Sequence, residues 1–211
     1  MKYICDVEKE PALLSTSYFP SVSYVAALKL FDCKIELYEN YQKRSIRNKC
    51  KILGANGTLQ LSVPLKKGKT QVPITQVEID YSEDWVINHI RSIRSAYGTS
   101  AYFEFYFDKV CDILNARPSK LHLLNHSILE WLQKTGLIEN FSYTQAFIHP
   151  KSCPMLDLRY DKFIGIELPA YDQVFSDKYG FVTDLSILDL IFNLGPEANL
   201  SYRDIKYNLE K

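Results

Sequence analysis

Two groups of residues in this chain carry types and spacings that could do chemistry. The first is a cationic and amide cluster, Gln42-Lys43-Arg44 followed by Arg47-Asn48. Arginine offers a planar, bidentate fork to a phosphate and lysine a compact point charge, so Lys43, Arg44 and Arg47 suit a diphosphate. Gln42 and Asn48, with Asn40, suit sugar hydroxyls or hold the cationic side chains in place. A nucleotide-linked sugar carries a diphosphate between base and sugar, so one substrate class accounts for the cluster. The second group centres on His89, four residues after Trp85, which makes the two side chains neighbours on one helix face. A histidine that titrates near neutrality can take a proton from an attacking amine, so His89 is the candidate general base. The plainer alternative is a core histidine whose ring nitrogens bond to backbone. Asp189 and Asn193 also share a helix face. Asp189 would pair with Arg44 or Arg47, orient His89, or only cap its helix. His122 and His126 stand at the i, i+4 spacing of metal ligands, but no carboxylate motif accompanies them and no metal is assigned.

The common signatures of nucleotide and acyl chemistry are missing from the sequence. There is no G-x-G-x-x-G, P-loop, G-x-S-x-G or H-E-x-x-H. A group transferred by this protein is therefore expected to arrive activated, as a thioester or an aminoacyl ester; no other cofactor is assigned. The 211 residues carry 25 basic and 25 acidic side chains, so no global field draws the chain to nucleic acid. Tyrosines interleaved with Lys and Arg leave a single-strand binder as a third reading, which the zero net charge disfavours. The cysteines at 5, 33, 50, 111 and 153 form no C-x-x-C, and no apolar run reaches membrane length. A soluble, reducing, cytoplasmic setting is expected, without an integral membrane segment.

These side chains need elements to hold them. Residues 12–16 predict a short buried strand, and Pro20-Ser21 a helix start. Cys33, Ile35 and Leu37 alternate with polar neighbours as a second strand. Asn56-Gly57 is a strong hairpin signal between strands at about 45–53 and 58–63. Centred there, the turn pairs 55 with 58, 52 with 61 and 50 with 63. Ile52, Cys50, Leu61 and Val63 then share an apolar face that extends to Asn48, Ile46 and Arg44, with Lys43, Arg47, Lys49 and Lys51 on the other. On that face Arg44 needs a partner, and a buried Arg–carboxylate pair is the structural alternative to a substrate role. Lys49 and Lys51 read as a solvated strand face.

Residues 66–73 predict a polar loop, and Val77 and Ile79 a further strand. Asp84 starts a helix to about Tyr97, and helices cover 102–115 and 121–134, stopped at Gly136. Strand-like pieces fall near 143–148 and 163–168. Ser186-x-x-Asp189 resembles a capping box before a helix that stops at Gly195-Pro196. The fold class is mixed α and β, with a small sheet including the hairpin and a helix-rich C-terminal half. One domain over 1–211 is expected, with sub-lobes 1–98 and 99–211.

The chain resembles the WbqC-like family. The resemblance is carried by Tyr18-Phe19-Pro20, Asn40-Tyr41-Gln42-Lys43-Arg44, Arg47-Asn48 and Leu61-Ser-Val-Pro64. It continues through Trp85-x-x-x-His89, Tyr97, Tyr171-x-Gln173-x-Phe175 and the run from Leu185 to Pro196. Many members carry Gln-Pro ahead of the first tyrosine, where this chain has Ser15-Thr16-Ser17. Members occur in surface-polysaccharide clusters, and the resemblance implies transfer of a glycyl or other acyl group to an amino-sugar nucleotide. It adds Tyr18 to the substrate-binding candidates beside Gln42, Lys43, Arg44, Arg47, Asn48, Trp85 and Asn193. The partner implied is a small nucleotide-linked amino sugar, with pathway enzymes as further partners. The alternative is a non-catalytic binder of the same ligand or of such an enzyme. The site is expected where Lys43–Asn48 meets the helix of Trp85 and His89, closed by the 185–196 helix.

Overall fold

A computed structural model describes residues 9–67, 71–159, 166–167, 169–203 and 205–207. In chain order its elements are β1 (Pro11–Ser15), α1 (Val22–Leu30), β2 (Asp32–Glu36), β3 (Lys49–Gly54), β4 (Gly57–Ser62) and α2 (Trp85–Tyr97). Then come α3 (Phe103–Asn115), α4 (Leu121–Lys134), β5 (Ser142–Tyr143), β6 (Leu156–Asp157), β7 (Ile166–Glu167), α5 (Ser176–Tyr179), α6 (Ile187–Leu194) and β8 (Lys206–Tyr207). Cys5, part of the 66–73 loop and part of the strand expected at 163–168 lie outside the described residues.

Four strands form a parallel sheet in the order β5-β2-β1-β6. A parallel strand covered on both faces should be apolar throughout. Accordingly Ala12, Leu13 and Leu14 of β1 are wholly buried. The crossover between β1 and β2 is α1, which is buried from Val22 to Leu28. That helix has no solvent face to speak of, because it lies among β2, β7 and α6. Ser21 starts it, its hydroxyl accepting the Tyr24 N–H at 3.2 Å.

The three long helices match their expected spans within a residue. Each buries one stripe, as in Trp85, Val86, His89, Ile93, Ala96 and Tyr97 of α2. Asp84 is the N-cap residue of α2 but makes no side-chain capping bond. Gly136 follows α4 at φ 75°. Val77 and Ile79 do not form the expected strand. They lie after a 3-10 turn at Ile74–Gln76, where Ile79 joins Leu65 and Glu78 joins Lys120 through isolated bridges.

The hairpin forms at the expected place with a different register. Gly54 pairs with Gly57, Ile52 with Leu59 and Cys50 with Leu61. The turn therefore holds Ala55-Asn56, and neither of these takes a positive φ; Gly57 does, at 103°. Each pairing has moved by two residues, which preserves the faces, since side chains alternate with period two. Cys50, Ile52, Leu61 and Val63 are all buried. Replacing Gly57 by Val should cost about 1–2 kcal/mol by urea denaturation, because a β-branched residue resists this φ. Nothing stands within 4 Å of a Cβ placed there. A stability change below a few tenths of a kcal/mol would mean the turn readily shifts.

Strand β3 begins at Lys49, not near 45, and residues 43–48 are a run of turns and bends. The alternation expected back to Arg44 does not extend there. Arg44 is exposed at φ 58°, whereas Arg47 is buried.

Candidate functional site

The polar residues at the C-terminal ends of the parallel strands form a closed network. Arg47 grips Glu39 with two bonds, Nε to Oε1 at 2.8 Å and Nη2 to Oε2 at 2.7 Å. Its Nη2 also donates to Ser15 Oγ at 2.6 Å. Beside it, Arg159 bonds both oxygens of Asp157, at 2.9 and 2.6 Å, and donates to the Ile148 carbonyl. Glu36 accepts from the Tyr38 and Ile148 N–H groups and the Thr144 hydroxyl, and stands 3.6 Å from Arg159. Both arginines and Glu36 are buried, where charges persist only when paired. A buried Arg–carboxylate pair thus exists, but on Arg47 rather than Arg44. As placed, Arg47 is committed to protein groups and holds the 39–47 loop against β1. Asn48 is committed too: Oδ1 accepts from Tyr41 Oη at 2.8 Å and Nδ2 donates to the Val63 carbonyl at 2.9 Å.

His89 lies in an aromatic stack. Its Nδ1 is 2.8 Å from the Tyr18 hydroxyl, and Trp85 meets it edge-on at 5.0 Å. The Ser62 backbone favours the protonated ring, but less than burial disfavours it. Tyr18 is wholly buried and Trp85 nearly so, with Nε1 donating to the Asp80 carbonyl. Burial lowers the His89 pKa to about 4. A base this weak, buried and with Nδ1 engaged by Tyr18, is poorly placed to take a proton from an attacking amine. Because the unfolded histidine titrates near 6.5, protonation favours the unfolded chain. The neutral ring's contribution is complete above pH 6.5 and is lost as pH falls toward 4. Denaturation from pH 7 to 4.5 should therefore destabilise the wild type more than His89→Gln. Equal pH slopes would remove His89 from this role.

Asp189 pairs with neither arginine nor His89, and it does not complete a capping box. Ser186 caps α6 through Leu188 N–H. The Asp189 carboxylate accepts instead from Tyr171 Oη at 2.7 Å and Gln173 Nε2 at 2.9 Å. Burial raises its pKa, opposed by these two bonds. Asn193 donates back to the Asp189 carbonyl at 2.8 Å. The Tyr171-x-Gln173 motif and the α6 motif thus bind one another. Among the other histidines, His126 Nδ1 bonds Tyr143 Oη at 2.7 Å, and no cluster of three metal-ligating side chains occurs among the described residues.

Two clefts flank the turn at 43–48. The smaller, about 390 Å³, gathers three distant segments: Ser17 to Ser21, Arg44 to Ile46, and Asp184 with Ser186. Lys49, Cys50 and Lys51 of β3 and Gln60 of β4 complete it. Three cations, Arg44, Lys49 and Lys51, face one carboxylate, Asp184. Ser21 and Ser186 are the N-caps of α1 and α6, so two positive helix ends meet here. The ends are tied together, Val22 N–H to the Leu185 carbonyl and Ile187 N–H to that of Pro20. Asp184 accepts the Ser23 N–H at 3.3 Å. A ligand would therefore meet side chains and the field of the helix ends rather than free backbone donors. Phe19, Arg44 and Asp184 hold φ values of 36°, 58° and 53°. Three of the five described non-glycine residues with positive φ thus line one cleft, and such backbone concentrates at functional sites. The Cys50 thiol is pushed far up by burial and is a poor nucleophile.

The larger cleft, about 720 Å³, opens on the other side of Lys49, which lines both. Lys43, Asn48 and Lys67 are among its walls. Of the expected site residues, the clefts thus expose Lys43 and Arg44, while Asn48 lines one but is buried and already bonded. Neither is lined by Arg47, Tyr18, Trp85, His89, Asp189 or Asn193. Gln42 is half-buried in the turn, its carbonyl accepting from Ser45 Oγ. The segments at 43–48 and 185–186 do come together, while the Trp85–His89 helix face is taken by the core. Lys49 and Lys51 were not expected in a site. A capping signal marks Ser21 and Ser186 individually, but their adjacency is a tertiary fact.

Fold and clefts together define an α/β protein with a cationic ridge between two small-ligand-sized hollows. The chain belongs to the WbqC-like protein family, which it matches over residues 16–150. It is 26% identical over 223 aligned positions to the uncharacterized protein Rv1507c of Mycobacterium tuberculosis, covering 90% of this chain and 96% of that protein. No solved structure matches. Among the described residues, no helix is long and apolar enough to cross a membrane.

Proposed function

We propose that this chain binds a nucleotide-linked amino sugar, with the diphosphate in the smaller cleft, and serves acyl or glycyl transfer to the sugar amine in surface-polysaccharide biosynthesis. The observation that carries the binding is the convergence of Arg44, Lys49 and Lys51 on the joined N-terminal ends of α1 and α6. Such ends favour anions, and the cations supply charge-assisted bonds. The serine hydroxyls and Gln60 suit the flanking sugar. The acyl-transfer half rests on the family resemblance, and the activated donor would come as a thioester or ester. This reading places the protein in the cytoplasm, and the described cysteines Cys33, Cys50, Cys111 and Cys153 are free thiols.

A second reading, a binder without turnover, is favoured by one observation. His89 is buried with Nδ1 engaged by Tyr18, and the one thiol among the described residues lining either cleft, Cys50, is buried and hard to ionise. Calorimetric titration with a panel of amino-sugar nucleotides, followed by mass spectrometry with thioester and aminoacyl donors, separates the two. Binding with an acylated product supports transfer. Binding without product across the donor panel supports the second reading. No binding of any sugar nucleotide would reject both.

A further inference from the structure

The larger cleft differs in chemistry from the smaller one. Its cations are Lys43, Lys49, Lys66 and Lys67. Lys66 pairs with Glu78 at 2.9 Å, and among the described residues no carboxylate pairs with the other three. Half-buried Leu65 and Val72, with buried Val63 and Val77 behind, add an apolar lining. Gln71 and Gln76 put side-chain amides on the same surface, and neither is bonded to another side chain among the described residues. Lysines, an apolar lining and free amides together suit a ligand with phosphates on one part and an apolar, amide-bearing arm on another. A volume of about 720 Å³ accommodates such a molecule.

We infer that the larger cleft is a second ligand site that takes an acyl thioester on a phosphorylated, amide-bearing arm, of the coenzyme A type. The inference rests on the reading of the smaller cleft as the sugar-nucleotide site, because it supplies the donor which that reading requires. Lys49 lines both clefts, so ligands in the two hollows approach each other across one side chain. The acceptor amine would attack the thioester carbonyl. The C–N bond forms, the C–S bond breaks, and the proton shed by nitrogen ends on the departing thiolate, giving amide and free thiol.

Coenzyme A itself is the probe. Calorimetry would follow its binding to the wild type, to Lys43→Ala/Lys67→Ala and to Arg44→Ala/Lys51→Ala, with an amino-sugar nucleotide titrated into the same three proteins. The exposed positions chosen leave the core untouched. Coenzyme A should bind the wild type and lose affinity at least about tenfold in Lys43→Ala/Lys67→Ala, as expected for lost charged hydrogen bonds. Its affinity should hold in Arg44→Ala/Lys51→Ala, and the sugar nucleotide should show the reverse pattern. Sugar-nucleotide binding without coenzyme A binding would overturn this inference alone, as would competition between the two ligands for one site. Binding of a short aminoacylated RNA in place of coenzyme A would also overturn it. Coenzyme A binding at this cleft with no sugar-nucleotide binding would support the second site and reject the proposed acceptor.

Discussion

Replacing Arg47 by Ala is expected to lower the free energy of unfolding by about 3–5 kcal/mol, the range for removing one member of a buried ion pair. The guanidinium is 1% exposed and its carboxylate partner 4%. Truncation would strand the Glu39 carboxylate, and Ser15 Oγ would lose a donor. Arg47→Lys should recover little, because a single ammonium cannot satisfy both Glu39 oxygens in this geometry. Removing both charges, as Arg47→Met with Glu39→Leu, should cost less than Arg47→Ala, since no unpaired ion remains buried. Urea unfolding followed by circular dichroism measures all four proteins. A loss below about 1 kcal/mol for Arg47→Ala would show that solvent reaches the network.

The second large effect is on binding. Arg44→Ala with Lys51→Ala should weaken sugar-nucleotide affinity by about 1.5–3 kcal/mol per charged bond removed, or two to four powers of ten together if the sites add. Both side chains are exposed, so stability should stay within about 0.5 kcal/mol of wild type. That contrast separates the two arginines. Arg47 variants lose folding, and Arg44 variants lose ligand. Each position is measured by calorimetry on protein shown to be folded. Unchanged affinity in the double variant would empty the smaller cleft of its proposed role.

The contrast also shows what is legible in a sequence. Local periodicity located α2, α3 and α4 and the apolar face of the hairpin, because burial of one stripe or one face is written at fixed spacing. It misplaces Arg44 and Arg47, because period-two alternation does not extend back past Lys49, where the chain is no longer a strand. The turn residues were displaced because Gly57 alone supplies the positive φ, with Ala55 and Asn56 between the strands. The partners of the buried charges could not be seen. Arg159 bonds across to Ile148 and lies beside Glu36, and its carbonyl accepts from Ser15, 144 positions away. Asp189 finds Tyr171 and Gln173 in a stretch with almost no regular structure. The candidate site was half legible. The cationic turn and the start of α6 do meet, but His89 was drawn into the core by the same apolar face that revealed its helix.

The central claim concerns where a phosphate rests. A crystal structure of the chain soaked with a nucleotide-linked amino sugar tests it most directly. The account predicts diphosphate oxygens within about 3.2 Å of the Arg44 guanidinium and the Lys51 ammonium, at the joined ends of α1 and α6. A diphosphate bound against any other surface, with the smaller cleft left to solvent, would contradict it.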